Sequence, residues 1–448
     1  MSGQPGFIHN TLRRKLKIIF GFFAFSLLIA SCHKDNLSLK HTTNTVSDAP
    51  VITSINPTLG NANTLVTITG KNFMLLAAGD TVKFNGVPAI IQSAADSVIT
   101  VLAPTAGTNG VVTVATVKGK FTGPTFIYGP DVFAIGTMAM PGYVPLYWKN
   151  GVQISLDGSA YGFPTGLAVV DTTVYIAGYY YDTGGDPQSL FWKNLSLSRL
   201  SEGLVKHTTG GMAVSGNDVY IAGFLEPDND QESLINIAEY WKNGQPVILS
   251  DTTQYDQATA IAVNGTDVYV AGNVSGIRYG WQGAAVWKNG VETILPQAPG
   301  GQYDYTTGIA IANGDVYISG YDNSTTTTAE YWKNGVQVSL SDNATASCIM
   351  VIGNDVYVGG STWNGAHSIA TYWKNGQATS LTDGTKDAAI TAIAIDGSDV
   401  YAAGYRNNNN GPGYAPVYWK NGVETKLTRF EEATGYLTGI VVKAHKPY

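Results

Sequence analysis

The feature that most constrains this chain is a pair of short motifs that recur together through its last two thirds. The motif Asp-Val-Tyr-x-x-Gly, with substitutions in the first copies, ends at Gly136, Gly178, Gly223, Gly272, Gly320, Gly360 and Gly404. The motif Tyr-Trp-Lys-Asn-Gly, with small variations, places its tryptophan at Trp148, Trp192, Trp241, Trp287, Trp332, Trp373 and Trp419. Each motif advances by 40 to 49 residues, a spacing typical of repeated units of four short strands.

A third motif indicates how these units are joined. An apolar run precedes the Asp-Val-Tyr motif in later repeats, as at Thr259–Val263 and Thr391–Ile395, but no such run precedes Asp131. A copy without a following Asp-Val-Tyr motif lies at the C-terminus, at Thr438–Val442. The last residues would therefore supply the missing strand of the first unit, which removes the exposed edges of an open array. We predict that residues 130–448 form a seven-bladed β-propeller closed by the C-terminal strand.

The repeated tryptophan allows two interpretations, an aromatic platform for sugars or packing between blades. Because every repeat keeps the ring at one strand position, we expect it to serve packing, which every blade needs. The same reasoning favours a turn role over a catalytic role for the repeated aspartate of Asp-Val-Tyr.

The first 31 residues have the features of an export signal. A basic stretch, Arg13–Lys17, precedes the apolar run Ile18–Ala30, which is too short to span a bilayer as a helix. The segment ends in Ile-Ala-Ser-Cys, which resembles a bacterial lipobox and implies cleavage before Cys32 and lipidation of that residue; an ordinary signal peptide with a nearby cysteine is the alternative. We expect residues 32–48 to form a flexible tether, and the lipid to anchor the protein in the outer membrane of a Gram-negative bacterium, facing the cell surface.

Residues 49–129 contain short alternating apolar runs separated by glycine, proline and Asn-Gly, a pattern that indicates a small β-sandwich. An Ile-x-Pro-x-x-Gly opening at Ile55–Gly60 is followed by the strand Val66–Phe73 and the hairpin Val82–Gly86. These motifs resemble those of the IPT/TIG domain, which implies an Ig-like fold and, in surface lipoproteins, a spacer more often than a binding role. The predicted fold class is all-β: an Ig-like sandwich followed by the propeller.

The two faces of the predicted propeller differ in their connections. One face carries uniform tight turns such as Asn289-Gly290, a pair that favours type I′ hairpins. The connections on the opposite face vary in length and are rich in aromatic residues, as binding loops on a rigid scaffold are; packing of these rings against the disk is an equal alternative. The candidate ligand-binding residues are Trp281, Trp363, Tyr180, Tyr181, Tyr279, Tyr303, Tyr305, Tyr405 and Tyr414.

The sequence contains few residues in patterns that suit catalysis or metal binding. No hydrolase elbow, zinc-binding helix motif or cysteine pair occurs in the sequence, so we expect no catalytic residue and no cofactor. Asp228, Asp230 and Glu232 alternate as in calcium loops but lack the glycine and the spaced terminal glutamate. A solvated acidic loop is the first interpretation of this segment, and a calcium site is the second.

Charge and loop composition together limit the kinds of ligand that we expect the protein to bind. The net charge of −7 becomes more negative once the basic leader is removed, which argues against a nucleic-acid partner. Exposed aromatic and amide side chains suit stacking on sugars and hydrogen bonding to them. We therefore expect a non-enzymatic surface lipoprotein that binds an extracellular ligand, first a glycan. The alternatives are a protein-interaction scaffold in an envelope complex and, third, a propeller lyase or glycosidase that uses Asp228, Glu232 or His367.

Overall fold

The computed structural model describes residues 49–73, 81–140, 142–156, 161–200, 206–227, 235–251, 254–275, 282–297, 303–408, 413–427 and 434–445. Every regular element in these ranges is a β-strand. Within them, no helix is present that could cross a membrane. The predicted leader, Cys32 and the tether lie outside the described residues, as do Trp281, Tyr279, Asp228, Asp230 and Glu232.

The N-terminal part, residues 49–129, consists of two facing sheets. Strand alternation creates its core, because side chains such as Val66, Ile68, Phe84, Val101 and Phe126 all point to the same interior. The sheets have the orders β1-β3-β7-β6 and β2-β9-β8-β4-β5. The strands are β1 (Val51–Asn56), β2 (Leu59–Gly60), β3 (Leu65–Lys71), β4 (Thr81–Phe84), β5 (Val87–Pro88), β6 (Ile90–Ala94), β7 (Val98–Leu102), β8 (Gly110–Thr116) and β9 (Gly119–Tyr128).

Seven four-stranded antiparallel sheets follow, numbered here 1 to 7 in chain order. Sheet 1 contains β10 (Asp131–Met140), β11 (Gly142–Lys149) and β12 (Val152–Ser155); sheet 2 contains β13 (Gly162–Val170), β14 (Thr173–Tyr181), β15 (Pro187–Lys193) and β16 (Ser196–Arg199); sheet 3 contains β17 (Lys206–Ser215), β18 (Asp218–Glu226), β19 (Ile237–Lys242) and β20 (Gln245–Ile248). Sheet 4 contains β21 (Gln257–Asn264), β22 (Asp267–Ser275), β23 (Gln282–Lys288) and β24 (Val291–Ile294); sheet 5 contains β25 (Asp304–Ala312), β26 (Asp315–Asp322), β27 (Thr328–Lys333) and β28 (Val336–Asp342). Sheet 6 contains β29 (Ala344–Ile352), β30 (Asp355–Trp363), β31 (Ser368–Lys374) and β32 (Gln377–Ser380); sheet 7 contains β33 (Ala388–Asp396), β34 (Asp399–Asn407), β35 (Tyr414–Lys420) and β36 (Val423–Lys426).

The C-terminal strand β37 (Thr434–Lys443) belongs to sheet 1, where it pairs with β10 in the order β12-β11-β10-β37. It is the inner strand of that sheet, as β13, β17, β21, β25, β29 and β33 are in the others. The seven inner strands together line one cavity of about 510 Å³. This arrangement is consistent with a propeller.

Four of the threonine hydroxyls around this cavity, those of Thr165, Thr259, Thr391 and Thr438, donate to strand carbonyls. The Oγ1 of Thr259 donates to the carbonyl of Ala271 at 3.2 Å. The Oγ1 of Thr438 donates across to sheet 2, to the carbonyl of Pro164 at 2.6 Å. The first bond joins the inner and second strands of sheet 4, and the second joins the inner strands of sheets 1 and 2.

The seven repeated tryptophans are all buried. Trp332 of sheet 5, for example, packs against Ala271, Ala284 and Leu295 of the sheet 4 region. Its Nε1 donates to the carbonyl of Pro296 at 2.9 Å. The expectation that these rings pack between repeats is confirmed, and none of them is accessible to a sugar.

The repeated aspartate belongs to a network on the uniform face. The carboxylate of Asp315 accepts a hydrogen bond from Asn334 Nδ2 at 2.7 Å and lies 2.9 Å from Lys333 Nζ. The Asn334 hydrogen bond, and then that of Lys333, lowers the pKa of Asp315. Lys333 also lies over the ring of Tyr317, 5.2 Å from its centroid. The same aspartate, lysine and asparagine contacts recur at Asp131, Asp218, Asp267, Asp355 and Asp399.

The N-terminal sandwich contacts sheet 1 through His445. The imidazole of His445 stacks on Tyr128, with the ring centroids 4.6 Å apart. Its Nε2 lies 3.0 Å from the carbonyl of Gly107 and its Nδ1 lies 3.0 Å from Asp131 Oδ1. Asn61 Nδ2 adds a hydrogen bond to Asn150 Oδ1 at 3.0 Å. Residues just after the C-terminal strand thus fasten the sandwich to the first sheet.

Candidate functional site

The ends of the sheets opposite the Asn-Gly turns form the loop-rich face, where one register position repeats in every sheet. On the second strand this position directly follows the repeated glycine. Its partner on the inner strand lies two residues before the cavity hydroxyl, or before Gly210 in sheet 3. We call the seven pairs the cross-strand row. They are Tyr436 with Thr137, Phe163 with Tyr179, Thr208 with Phe224, Gln257 with Asn273, Tyr305 with Tyr321, Thr345 with Ser361, and Ala389 with Tyr405. The row thus contains seven aromatic rings on the loop-rich face, contributed by sheets 1, 2, 3, 5 and 7.

The largest aromatic cluster joins sheets 1 and 2. Phe163 contacts Tyr143, Tyr179 and Tyr181, with centroid distances of 5.3, 5.4 and 5.9 Å. Burial, and then the neighbouring Tyr181, raises the pKa of Tyr179. Tyr143 and Tyr181 are exposed, whereas Phe163 and Tyr179 are half-buried beneath them. The cluster presents two accessible rings on a packed aromatic base.

Sheet 5 contributes a stacked pair of rings to the row. Tyr305 and Tyr321 lie opposite each other on β25 and β26, with centroids 5.1 Å apart and planes inclined by 23°. Burial raises the pKa of Tyr321. Tyr303 is half-buried just before β25, and its carbonyl accepts a hydrogen bond from the Asn323 amide at 2.8 Å. The stack is therefore fixed at both strand ends.

Sheet 6 presents Trp363, the last residue of β30, with 48% of its surface exposed. Its amide donates to the carbonyl of Asn343 at 2.7 Å. The following turn is held by Asn364, whose Oδ1 accepts from the amide of His367 at 2.8 Å and whose Nδ2 donates to the carbonyl of Gly384 at 2.9 Å. An exposed indole on a hydrogen-bonded turn is rigid and accessible, which suits stacking against a ligand.

Sheet 7 combines aromatic and polar groups. Tyr405 and Tyr414 lie with their centroids 4.6 Å apart, and Tyr414 is exposed. Beside them, a cavity of about 410 Å³ opens between the edges of sheets 6 and 7. Arg406 in this cavity donates from Nε to both carboxylate oxygens of Glu424, at 2.9 and 3.0 Å. Lys386 and Asp383 also line it, so charged side chains adjoin the exposed tyrosine.

The predicted ligand-binding residues separate into three groups. Tyr181, Trp363 and Tyr414 are exposed; Tyr303, Tyr305 and Tyr405 are half-buried; Tyr180 packs against the core cluster that contains Trp192. Trp281 and Tyr279 lie outside the described residues. The described candidates are distributed over sheets 2, 5, 6 and 7 rather than gathered in one pocket.

Sequence reasoning missed two rings of the row, Phe224 and Tyr321, and also Tyr143, which contacts Phe163 of the row. A usable signal existed for two of them, because the residue directly after the repeated glycine always belongs to the row. No group of three or more His, Cys, Asp or Glu is placed to hold a metal ion in the described part of the chain. The predicted acidic loop at 228–234 is not in that part, so calcium binding there stays a prediction.

The class of the N-terminal part follows from comparison with known families. Residues 50–128 match the family model described as IPT/TIG domain, which confirms the resemblance seen in the motifs. No curated protein matches the chain.

Three solved structures similar to the chain come from Bacteroides. An auxiliary nutrient binding protein from Bacteroides ovatus is 11% identical, with a TM-score of 0.39, covering 79% of this chain and 94% of that one. An auxiliary nutrient binding protein from Bacteroides thetaiotaomicron is 11% identical, with a TM-score of 0.35, covering 84% and 85%. A structural genomics protein of unknown function from Bacteroides thetaiotaomicron is 15% identical, with a TM-score of 0.31, covering 79% and 94%. All three TM-scores are below 0.5, so what these proteins bind is not carried over to this chain.

Proposed function

We propose that the seven sheets are the blades of a closed propeller, and that its loop-rich face binds an extracellular glycan without catalysing a reaction. The observation that carries the proposal is the cross-strand row, in which five of the seven sheets carry seven aromatic rings at one register of the loop-rich face. Aromatic rings stack on the apolar faces of sugars, and neighbouring amides and charged groups hydrogen-bond to hydroxyls.

The spacing of the exposed rings favours a glycan over a protein partner. Tyr181, Trp363 and Tyr414 lie on three different sheets and are separated by polar loops. A protein partner would instead favour one contiguous apolar patch. Separate rings among polar groups can each contact one sugar of an extended chain.

The rest of the chain would present this face at the cell surface. In the proposal, Cys32 carries the lipid anchor, residues 32–48 form the tether, and the IPT/TIG domain acts as a spacer. A protein-interaction scaffold in an envelope complex is the alternative. The enzyme alternative has His367 as the one described member of its candidate residues, with Nδ1 3.3 Å from a carboxylate oxygen of Asp387.

Binding of the full chain, purified in detergent, to an array of plant, host and bacterial polysaccharides tests the proposal. We expect binding to one structural class of glycan, with no release of shorter products on incubation. Absence of binding across the array, together with co-purification of an envelope protein from the native membrane, would contradict the glycan proposal in favour of the scaffold. Release of shorter glycan products would contradict the proposal that the protein catalyses no reaction.

A further inference from the structure

Sheet 5 contains two carboxyl groups that are fully buried and lack compensating partners. Asp304 has none of its surface exposed, and neither of its carboxyl oxygens has a hydrogen-bond partner. Glu330 has 1% exposed; its Oε1 has no partner, and its Oε2 accepts from Gln337 Nε2. A buried ionised carboxylate without a cation or several donors is strongly unfavourable, so a neutral form is preferred.

The register of the sheet brings these groups onto one face. Asp304 on β25 lies opposite Asp322 on β26, and Asp322 lies opposite Thr328 on β27. Glu330 is two residues beyond Thr328, so it points to the same side of the sheet. That side carries Trp332 and packs against sheet 4. Three carboxyl groups therefore share one interior surface.

The groups that face this surface provide no positive charge among the described residues. Asp322 and Glu330 come from sheet 5 itself, and Asn273, Ala271 and Ala284 come from β22 and β23 of sheet 4. Asp322 has its own donors, since the amide and hydroxyl of Ser324 bind its Oδ1 at 2.9 and 2.5 Å.

The two pKa values follow from these surroundings. Burial, and then the charge of Asp322, raises the pKa of Asp304 to about 7. Burial, opposed by the Gln337 hydrogen bond and reinforced by Asp304 and Asp322, raises the pKa of Glu330 to about 8.

Sheet 3 shows what the same positions look like when the glutamate has an imidazole as its hydrogen-bond partner. Glu239 and Glu330 both lie two residues before the repeated tryptophan. His207 and Asp304 both lie on the inner strand, opposite the residue two positions after the repeated glycine. In sheet 3, Nδ1 of His207 is 2.5 Å from Oε1 of Glu239. Sheet 5 has a second carboxyl where sheet 3 has the histidine.

We propose that Asp304 and Glu330 form a proton-holding pair, which keeps sheet 5 stable in acidic to neutral conditions and weakens it as the pH rises. The folded state holds protons that the unfolded chain releases near the ordinary carboxyl range. The stabilisation is therefore complete in acid, declines as the pH rises above that range, and is lost once the pair ionises near pH 7 to 8. By linkage, each held proton changes the unfolding equilibrium by about tenfold per pH unit.

The pair also adjoins the cross-strand row, because Asp304 directly precedes Tyr305 on β25. If the proposed glycan binding at this face is correct, ionisation of the pair would loosen this part of the binding surface. The stability measurement below needs no ligand, so its outcome is independent of the proposed function.

Urea unfolding of the full chain, followed by tryptophan fluorescence from about pH 5.5 to 8.5, tests the proposal against Asp304→Asn with Glu330→Gln. We expect the unfolding equilibrium constant of the parent to rise by at least about tenfold more across this range than that of the double variant. His207→Asp, which places a second carboxyl beside Glu239 in sheet 3, should add a comparable loss of stability there as the pH rises.

Two results would overturn the proposal. One is an equal pH dependence in the parent and the double variant. The other is recovery of the parent's urea stability at pH 8.5 on addition of calcium. That result would mean that a cation, rather than a proton, neutralises the cluster. If the variants fail to fold, the infrared spectrum of the parent near pH 6 provides the test. The proposal requires the band of a protonated carboxyl, and absence of that band contradicts it.

Discussion

Two tryptophans of sheet 6, ten residues apart, show how position within a repeat decides a residue's role. Trp363 ends β30 and has 48% of its surface exposed, whereas Trp373 is one of the repeated rings and has none exposed. The Nε1 of Trp373 donates to Ser341 Oγ at 3.0 Å, so its loss would remove a buried hydrogen bond as well as packing. The repeated Trp373 is therefore a packing residue, whereas the unrepeated Trp363 is accessible to a ligand.

These two residues make a matched pair of substitutions. Trp373→Ala is expected to lower the free energy of unfolding by about 3–5 kcal/mol, because it leaves a large cavity between sheets. Trp363→Ala is expected to change it by less than about 0.5 kcal/mol, because the ring is on the surface and the backbone bond to Asn343 remains. Urea unfolding of both variants checks this; a similar loss in both would mean that Trp363 is a packing residue.

At the scale of elements, the contribution of β37 to ring closure can be tested by truncating the chain. It pairs with β10, buries Leu437 and Ile440, and hydrogen-bonds through Thr438 to sheet 2. Without it, β10 would expose a free edge and the cavity would lose one wall.

Removing residues from Thr434 onward should therefore abolish cooperative unfolding and promote aggregation. A chain that ends after His445 should behave as the parent, and His445→Ala separates loss of the strand from loss of the contact with the N-terminal sandwich. Analytical ultracentrifugation and urea unfolding give the readouts. A truncated chain that stays monomeric, with an unchanged urea midpoint, would contradict ring closure by this strand.

The sheets, their order and the packing role of the tryptophans could be predicted because each depends on local chemistry that repeats seven times. The row of rings and the carboxyl pair could not. An irregularity in every inner strand, such as the one between Thr306 and Gly308, shifts the register by a residue. A shift of one residue exchanges the two faces of a strand, so simple alternation misplaces residues on the far side of it. Asp304, which begins a strand beside polar loops, is consequently buried rather than exposed.

At the scale of the whole molecule, His445 provides the ring stack and two polar contacts between the IPT/TIG domain and sheet 1, and Asn61 adds one hydrogen bond to Asn150. The ring of His445 is buried between Tyr128, Gly107 and Asp131, and each of its nitrogens faces an acceptor. His445→Ala would remove the stack and both polar contacts. We expect greater motion between residues 49–129 and the sheets, seen as a broader distance distribution in small-angle X-ray scattering; His367→Ala is the matched control. An unchanged distribution would mean that the contact is not needed to fix the domains.

The most direct test of the central claim compares the two ends of the sheets. One variant combines Tyr181→Ala, Trp363→Ala and Tyr414→Ala on the loop-rich face. Its control combines Val291→Ser, Val336→Ser and Val423→Ser, which are exposed beside the Asn-Gly turns at the opposite end. Each lost stacking contact should weaken binding by about two- to tenfold. We predict that the first variant loses binding to the glycan found on the array while the control retains it, both with parental urea midpoints. Equal binding by both variants, or equal loss in both, would contradict a binding site on the loop-rich face.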